Sequence, residues 1–240
     1  MDDEEIRRSA ALEQRHWWYA GRRSLVRRLV RGVAAGQAVD VGTGPGGNAA
    51  TLQRLGWDVT GVEWSPTAAR IAAACGLRVV RGDARALPLP DASTDLVLSA
   101  DVWEHIVEDD QVAREAFRVL RPGGRLVVAV PAAMSLWSAH DVALGHVRRY
   151  EREDLVDLVR RTGFDVVDVA SWNVLLRPVA HARRRRTQHG CGSEMQPVHP
   201  VLNAGLRAVV GLEGFLPVGD LPGVSLVVRA RRPATGAENR

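Results

Sequence analysis

The chain has 240 residues, 46% of them hydrophobic, enough for one globular unit with a full core and small appendages. Its 32 basic and 28 acidic residues leave a formal charge of +4, and all the basic residues are arginines scattered along the chain. That balance excludes a dedicated nucleic-acid binder, whose charge would cluster on one face and interleave with aromatics.

The first 35 residues read as helical, with apolar residues at helical spacing from Ser24 to Val33, closed by Gly36. An alternating rhythm follows. Gln37–Val41 is a strand and Asn48–Leu55 a helix, then Asp58–Val62 a strand and Pro66–Ala74 a helix opened by Ser65 as N-cap with Pro66 at its first position. Leu77–Val80 and Asp95–Ser99 are strands. Asp109–Leu120 is a helix stopped by Pro122-Gly123-Gly124, Arg125–Val130 a strand, Arg152–Thr162 a helix ended by Gly163, and Phe164–Val169 a strand. This alternation predicts a mostly parallel sheet covered on both faces. Residues 171–222 carry only weak helical signals, such as Leu202–Leu212, before a last strand at Val224–Val228 and a frayed end from Pro233.

Cys75 and Cys191 lack metal-type spacing, which argues against a disulfide scaffold or zinc module; Cys75 reads as a core thiol. The acidic start Met1-Asp2-Asp3-Glu4-Glu5 has no apolar leader region, and no apolar run reaches the roughly 18 residues of a membrane span. A cytoplasmic protein without a transmembrane segment is expected.

Gly42, Gly44 and Gly47 satisfy G-x-G-x-x-G between a strand and a helix, a weak signal alone because dinucleotide enzymes share it. Asp40, two residues before the first glycine, changes its meaning. A dinucleotide would put its pyrophosphate over the helix N-terminus, where this carboxylate repels it. S-adenosylmethionine (SAM) has no phosphate and carries a sulfonium and an ammonium, so an acid there suits it. Glu63 ends the second strand, 23 residues after Asp40, where a carboxylate can accept both ribose hydroxyls. Asp83 follows the third strand and can accept from an adenine amino group. Three acids at successive strand ends outweigh the alternative that each merely caps a helix.

The runs Val39-Asp40-Val41-Gly42-Thr43-Gly44-Pro45-Gly46, Gly61-Val62-Glu63, Gly82-Asp83-Ala84, Asp95 through Ile106 and Arg118 through Gly124 together resemble the class I SAM-dependent methyltransferases, in particular the bacterial type 11 or 12 group. The resemblance covers residues 39–130 in the family's order. It implies an α/β, Rossmann-like seven-stranded sheet whose last strand is antiparallel, with N-terminal helices as a lid (1–35), a cofactor-binding core (36–170), a helical insertion (171–222) and the last strand (223–232). It also implies that Asp40 and the glycines Gly42 and Gly44 hold the methionine part, Glu63 the ribose, and Asp83 with Ala84 the adenine; Trp17, Thr43, Asn48 and Trp64 are further cofactor candidates, and Arg22 can pair with the SAM carboxylate or an acidic group of the acceptor. Asp101 would line the cofactor site. Trp103 stands where the family usually has Leu.

Two clusters resemble a subset of that family: His16-Trp17-Trp18-Tyr19-Ala20-Gly21-Arg22-Arg23, and Leu136 to Asp141 with Gly145 to Tyr150. They sit where a lid and a pocket wall belong. Methyl transfer needs alignment, exclusion of water and, for some acceptors, removal of a proton. His140 is the first candidate base, with His146 and Tyr150 behind it. His16, Trp18, Trp103, Trp137, Asp141, Arg148 and Arg149 are candidate acceptor contacts; packing is the competing reading for the tryptophans and a self-supporting loop for the histidines. His140, Asp141 and His146 match no standard ligand spacing, so no metal is expected. His105 reads mainly as packing behind the cofactor. Arg183–Arg186 reads as a solvated helix end, with contact to an anionic substrate as the lesser reading. The expected partner is a small-molecule acceptor, not a nucleic acid; a homodimer stays open.

The leading function is therefore methyl transfer from SAM to an O or N atom of a small molecule, of natural-product, sugar or polysaccharide-precursor type. The alternatives are an NAD(P)-dependent oxidoreductase using the same turn, and a non-catalytic partner subunit of the same fold. The Asn/Asp-Pro-Pro-aromatic motif of nucleic-acid amino-methylating enzymes is absent after the fourth strand.

Overall fold

The computed structural model describes residues 3–186 and 197–234, with the side chains of Arg185 and Arg186 left aside. His189 and Cys191 lie outside the described residues. The seven strands are β1 (Gln37–Val41), β2 (Asp58–Glu63), β3 (Arg78–Arg81), β4 (Thr94–Ala100), β5 (Leu120–Pro131), β6 (Asp165–Trp172) and β7 (Ser225–Arg231). They form one sheet in the order β3-β2-β1-β4-β5-β7-β6. β1 pairs in parallel with β2 and β4, while β7 runs antiparallel to both β5 and β6. The order reverses between β1 and β4, and in open α/β sheets a crevice opens at that point beyond the strands' carboxyl ends.

The helices are α1 (Asp3–Glu13), α2 (Trp17–Leu29), α3 (Gly47–Arg54), α4 (Pro66–Ala74), α5 (Asp109–Val119), α6 (Ala139–Leu144), α7 (Arg152–Arg161), α8 (Arg177–Arg186) and α9 (Pro200–Glu213). Strand side chains alternate between faces and bury both. Val39, Val41, Val97, Val128 and Val130 pack with α5 and α7 residues such as Val112 and Leu155. Ala38, Leu96, Leu98 and Val127 pack with Val26, Ala49, Leu52 and Ala72 on the other side. A third cluster joins Leu25, Trp172 and Val210, seating α2 and α9 over the sheet's end.

Several boundaries differ from the sequence reading. The N-terminal helical stretch breaks at residues 14–16 into α1 and α2, because His16 caps the second helix by accepting from the Trp18 backbone N–H. Ser65 caps α4 as read, with Pro66 in its first turn. Pro122-Gly123-Gly124 does not precede β5 but lies within it. Gly123 takes φ +81° and donates its N–H to the Arg232 carbonyl, so the bend stays bound to the end of β7. Residues 139–144 form a helix because Ser138 and Asp141 make a capping box. Cys75 is exposed, correcting the core assignment: it lies past the last inward-facing residue of α4, Ala72. No helix among the described residues is long and apolar enough to cross a membrane.

Candidate functional site

The glycine-rich turn closes β1 onto α3. The N–H groups of Gly42 and Thr43 donate to the Val62 carbonyl at 2.8 and 3.2 Å, which folds the chain sharply beside β2. Gly42 takes φ +69°, and a Cβ there would meet Val102 Cγ2 at 2.3 Å. A side chain is therefore excluded by conformation and by space. Asp40 lies beneath this turn rather than on the cavity surface: it is buried, and its carboxylate accepts from the Thr43 hydroxyl at 2.8 Å. Burial pushes its carboxyl up to about 7, against the lowering effect of Thr43. Glu63 does reach the cavity. Its two oxygens accept the Gly44 N–H at 2.8 Å and the Ser65 N–H at 2.7 Å, so β2, the turn and α4 are held by one carboxylate.

Glu13, which the sequence reading missed, enters from α1. Its Oε1 accepts the Gly47 N–H at 2.9 Å, at the first residue of α3. A carboxylate there suits the positive end of the helix, while burial raises its pKa. It also takes the position that a dinucleotide's pyrophosphate would need. No local pattern in α1 announces this contact, which spans 34 residues.

Arg22 is buried in α2 and grips both oxygens of Asp101 at 2.6 and 2.8 Å. Its guanidinium stacks on Trp172 at 4.5 Å and Trp18 at 5.3 Å, while Nε and Nη1 are buried without a partner. Asp101 follows β4 with φ +59°; Ala133, after β5, and Asn173, after β6, share that left-handed conformation. Such strain, roughly 1–3 kcal/mol per residue, accumulates where side chains must be aimed. Here Asp101 and Asn173 both line the cavity. Asp83 lines it too, with its carboxylate paired to Arg85, which also reaches Glu108. That arginine holds the Asp83 pKa below the usual range. Ala84, Trp64, Asn48, Trp17, Trp18 and His16 complete this part of the wall, Trp64 as an exposed rim residue.

At the far end, His140, His146 and Arg149 line the cavity. Asp141 lies beneath, fully buried: it caps α6, meets His146 Nδ1 at 2.9 Å and Arg149 Nη2 at 2.7 Å. The hydrogen bond with His146 and the charge of Arg149 push its carboxyl well below the usual range despite its burial. Burial and the neighbouring Arg184 push the His140 imidazole down to about 3, so His140 is neutral at physiological pH and a weak proton acceptor.

Four candidates lie away from the cavity. Tyr150 is buried with its hydroxyl donating to Asp109 at 2.8 Å, and burial beside that carboxylate raises its pKa far above normal. Arg148 binds the same Asp109 and the Val107 carbonyl. Trp103 is a fully buried core residue, and Trp137 is half-buried outside the cavity. Tyr150 and Arg148 share the buried carboxylate of α5, an anchor that the sequence reading did not foresee.

Glu104 and His105, by contrast, both face the cavity. So do Arg183 and Arg184; Arg184 is buried and donates to the Leu136 carbonyl, which corrects the reading of that residue as part of a solvated end, while Arg183 is exposed. The insertion roofs the site through residues such as Leu176, Val179, Leu202 and Leu206, and Asn203 ties it down by accepting the Trp17 N–H and donating to the Arg15 carbonyl. The cavity measures about 1100 Å³.

Comparison with known proteins agrees with this geometry. The family model described as a methyltransferase domain, type 11, matches residues 39–128. A Mycolicibacterium smegmatis protein named "probable S-adenosylmethionine-dependent methyltransferase" is 31% identical over 161 residues, which cover 65% of this chain and 63% of that one. The chain spans less than two thirds of the length of the curated relatives it matches most strongly. Among solved structures, the [4+2]-cyclase SpnF is 26% identical with a TM-score of 0.62, covering 90% of this chain and 81% of that one. A SAM-dependent methyltransferase from Thermotoga maritima shares the fold at 21% identity and a TM-score of 0.62, over 95% of both chains.

Proposed function

We infer that this chain, which belongs to the class I SAM-dependent methyltransferases, transfers a methyl group from SAM to an oxygen or nitrogen of a small molecule of natural-product, sugar or polysaccharide-precursor type. The observation that carries the reading is the single cavity joining the glycine-rich turn, Glu63, Asp83 and Asp101 to the histidine wall. Its volume exceeds what one ligand of ordinary size fills, so donor and acceptor fit together.

Arg22 supports this assignment at the methionine end, because its guanidinium lines the cavity and its Nη1 has no hydrogen-bond partner, which suits a carboxylate acceptor. Glu63 and Asp83 suit the ribose hydroxyls and the adenine amine. When bound, SAM supplies an activated methyl carbon. The acceptor's lone pair attacks that carbon, the carbon–sulfur bond breaks, and S-adenosylhomocysteine (SAH) leaves with the electron pair. The protein's share is alignment under the roof of α8 and α9, exclusion of water and removal of the acceptor's proton. Of the two histidines, His146 is the better placed to accept that proton, since Asp141 fixes its Nδ1–H and leaves Nε2 basic. Glu13 on the helix α3 N-terminus and Asp40 beneath the turn disfavour a dinucleotide.

The test is transfer of label from methyl-labelled SAM into a small-molecule extract of the source cells. Label in a compound other than SAM or SAH is expected. A second reading rests on the likeness to SpnF, named as a cyclase: the cavity would then bind SAM or SAH while shaping another reaction. Donor binding with no label transferred to any acceptor pool would favour it over methyl transfer.

A further inference from the structure

Glu104 is buried without a hydrogen-bond partner among the described residues. The residue is 0% exposed, and neither carboxylate oxygen has a hydrogen-bond partner. Isolated buried carboxylates are costly, and an orphaned one calls for an ion, a water or a bound group. Two histidines converge on the same point. One ligand atom from each of Glu104, His105 and His146 lies within 4.8 Å of the other two, and His146 Nε2 is 3.9 Å from Glu104 Oε1. The histidine rings meet edge to face, 4.7 Å between centroids.

The tautomers are set from behind. His146 Nδ1 faces Asp141 Oδ1 at 2.9 Å, and His105 Nδ1 faces the Gly145 carbonyl at 3.4 Å. An acceptor at each Nδ1 places the proton there and leaves each Nε2 with its lone pair. Carboxylate or carbonyl support behind a histidine is the usual outer arrangement of a metal ligand. The fold also brings the two segments together: the Val147 N–H donates to the Glu104 carbonyl at 2.7 Å. Locally, Asp141 pairs with Arg149, and Asp101 with Arg22.

We propose that Glu104, His105 and His146 form a site for a divalent first-row transition metal ion at the acceptor end of the cavity. Two imidazoles and one carboxylate favour zinc, cobalt, manganese or ferrous iron over magnesium or calcium, which take mainly oxygen. Tetrahedral bonding with bonds near 2.1 Å puts ligand atoms about 3.4 Å apart, so closure draws them in from the 3.9 Å of the Glu104–His146 pair and from separations of at most 4.8 Å for the others. Three protein ligands leave coordination positions open toward the cavity, where an oxygen of the acceptor can bind. The role of that ion rests on the methyl-transfer reading and refines it: His146 Nε2 would then hold the ion, and the ion in place of a free imidazole would make the acceptor hydroxyl more acidic.

The sequence pointed elsewhere because the ligands are a Glu-His pair after β4 and a histidine 41 positions later, which is no standard spacing.

The test uses the full chain stripped with chelator and titrated with Co²⁺ alone, without SAM or acceptor, followed by visible absorption and calorimetry. One equivalent bound at micromolar affinity, with d–d bands of a nitrogen–oxygen site, is expected. Glu104→Gln and His105→Gln should each abolish the bands, and Asp141→Asn should weaken binding by about 10- to 100-fold. Glu104→Gln replaces a buried charge with a neutral isostere and keeps the fold, which thermal melting checks. Absence of stoichiometric Co²⁺ binding by the parent chain, or unchanged bands in Glu104→Gln and His105→Gln, would overturn the proposal. Because the readout involves no methyl donor, its failure would leave the methyl-transfer reading untouched.

Discussion

Arg22→Met separates a cofactor-binding role from a packing role. The methionine body retains much of the contact with Trp172 and Trp18, while the guanidinium and its hold on Asp101 are lost. The Asp101 side chain is 38% exposed, so water can rehydrate it, and the stability loss should stay near 1–2 kcal/mol. Ligand binding weakens as well. Nη1, buried and without a hydrogen-bond partner, offers one charge-assisted hydrogen bond to a carboxylate, worth about 1.5–3 kcal/mol net. The middle of that range, about 2 kcal/mol, is on the order of 30-fold in Kd. SAM and SAH carry the same carboxylate and should weaken together. The assay is calorimetric titration with SAH on variant and parent, with a melting curve to confirm folding. A folded variant that binds SAH within about threefold of the parent would refute the assignment of Arg22 to the methionine end.

Gly61→Ala puts a Cβ 2.8 Å from Thr43 Cγ2, pushing Thr43 off Asp40; a stability loss of about 1–3 kcal/mol and weaker SAH binding are expected by melting and calorimetry. Asp40 is raised from near 4 to about 7, so the folded chain favours its protonated form: the associated stability is full below about pH 4 and is lost as pH rises to about 7. Asp40→Asn lacks this loss, and its Tm relative to the parent should climb between those values; a flat or falling difference would contradict the assignment. His146→Gln should lower kcat by about 10²- to 10⁴-fold at nearly unchanged SAH affinity, which steady-state kinetics and calorimetry separate. Asn203→Ala removes the two bonds that tie α9 to the α1–α2 link, and hydrogen exchange should rise in α9 while the sheet stays protected.

Much of the fold was legible because its signals are local. The β1 turn, the Ser65-Pro66 start of α4 and the alternation of strands and helices follow from spacing and capping, and the resemblance carried the seven strands and the antiparallel β7. Of the residues read as cofactor candidates, Gly42, Thr43, Gly44, Glu63, Asp83 and Asp101 line the cavity, while Asp40 holds the turn from below. What was not legible depends on distant partners. Glu13 meets Gly47 across 34 positions, Glu213 of α9 caps the backbone of Asn173 and Val174, and Asp109 draws Tyr150 and Arg148 away from the cavity. The resemblance marked Trp103, in place of the usual Leu, as a pocket residue, yet its position after β4 turns it into the core with Val112 and Leu126.

The central claim is that the cavity above the Asp40–Gly47 turn holds a cationic nucleoside methyl donor. Titration of the purified chain with SAM, SAH and NADH tests it most directly. The account predicts one equivalent of SAM and of SAH bound at micromolar affinity and no NADH bound. Binding of NADH, or no heat with either SAM or SAH, would contradict it.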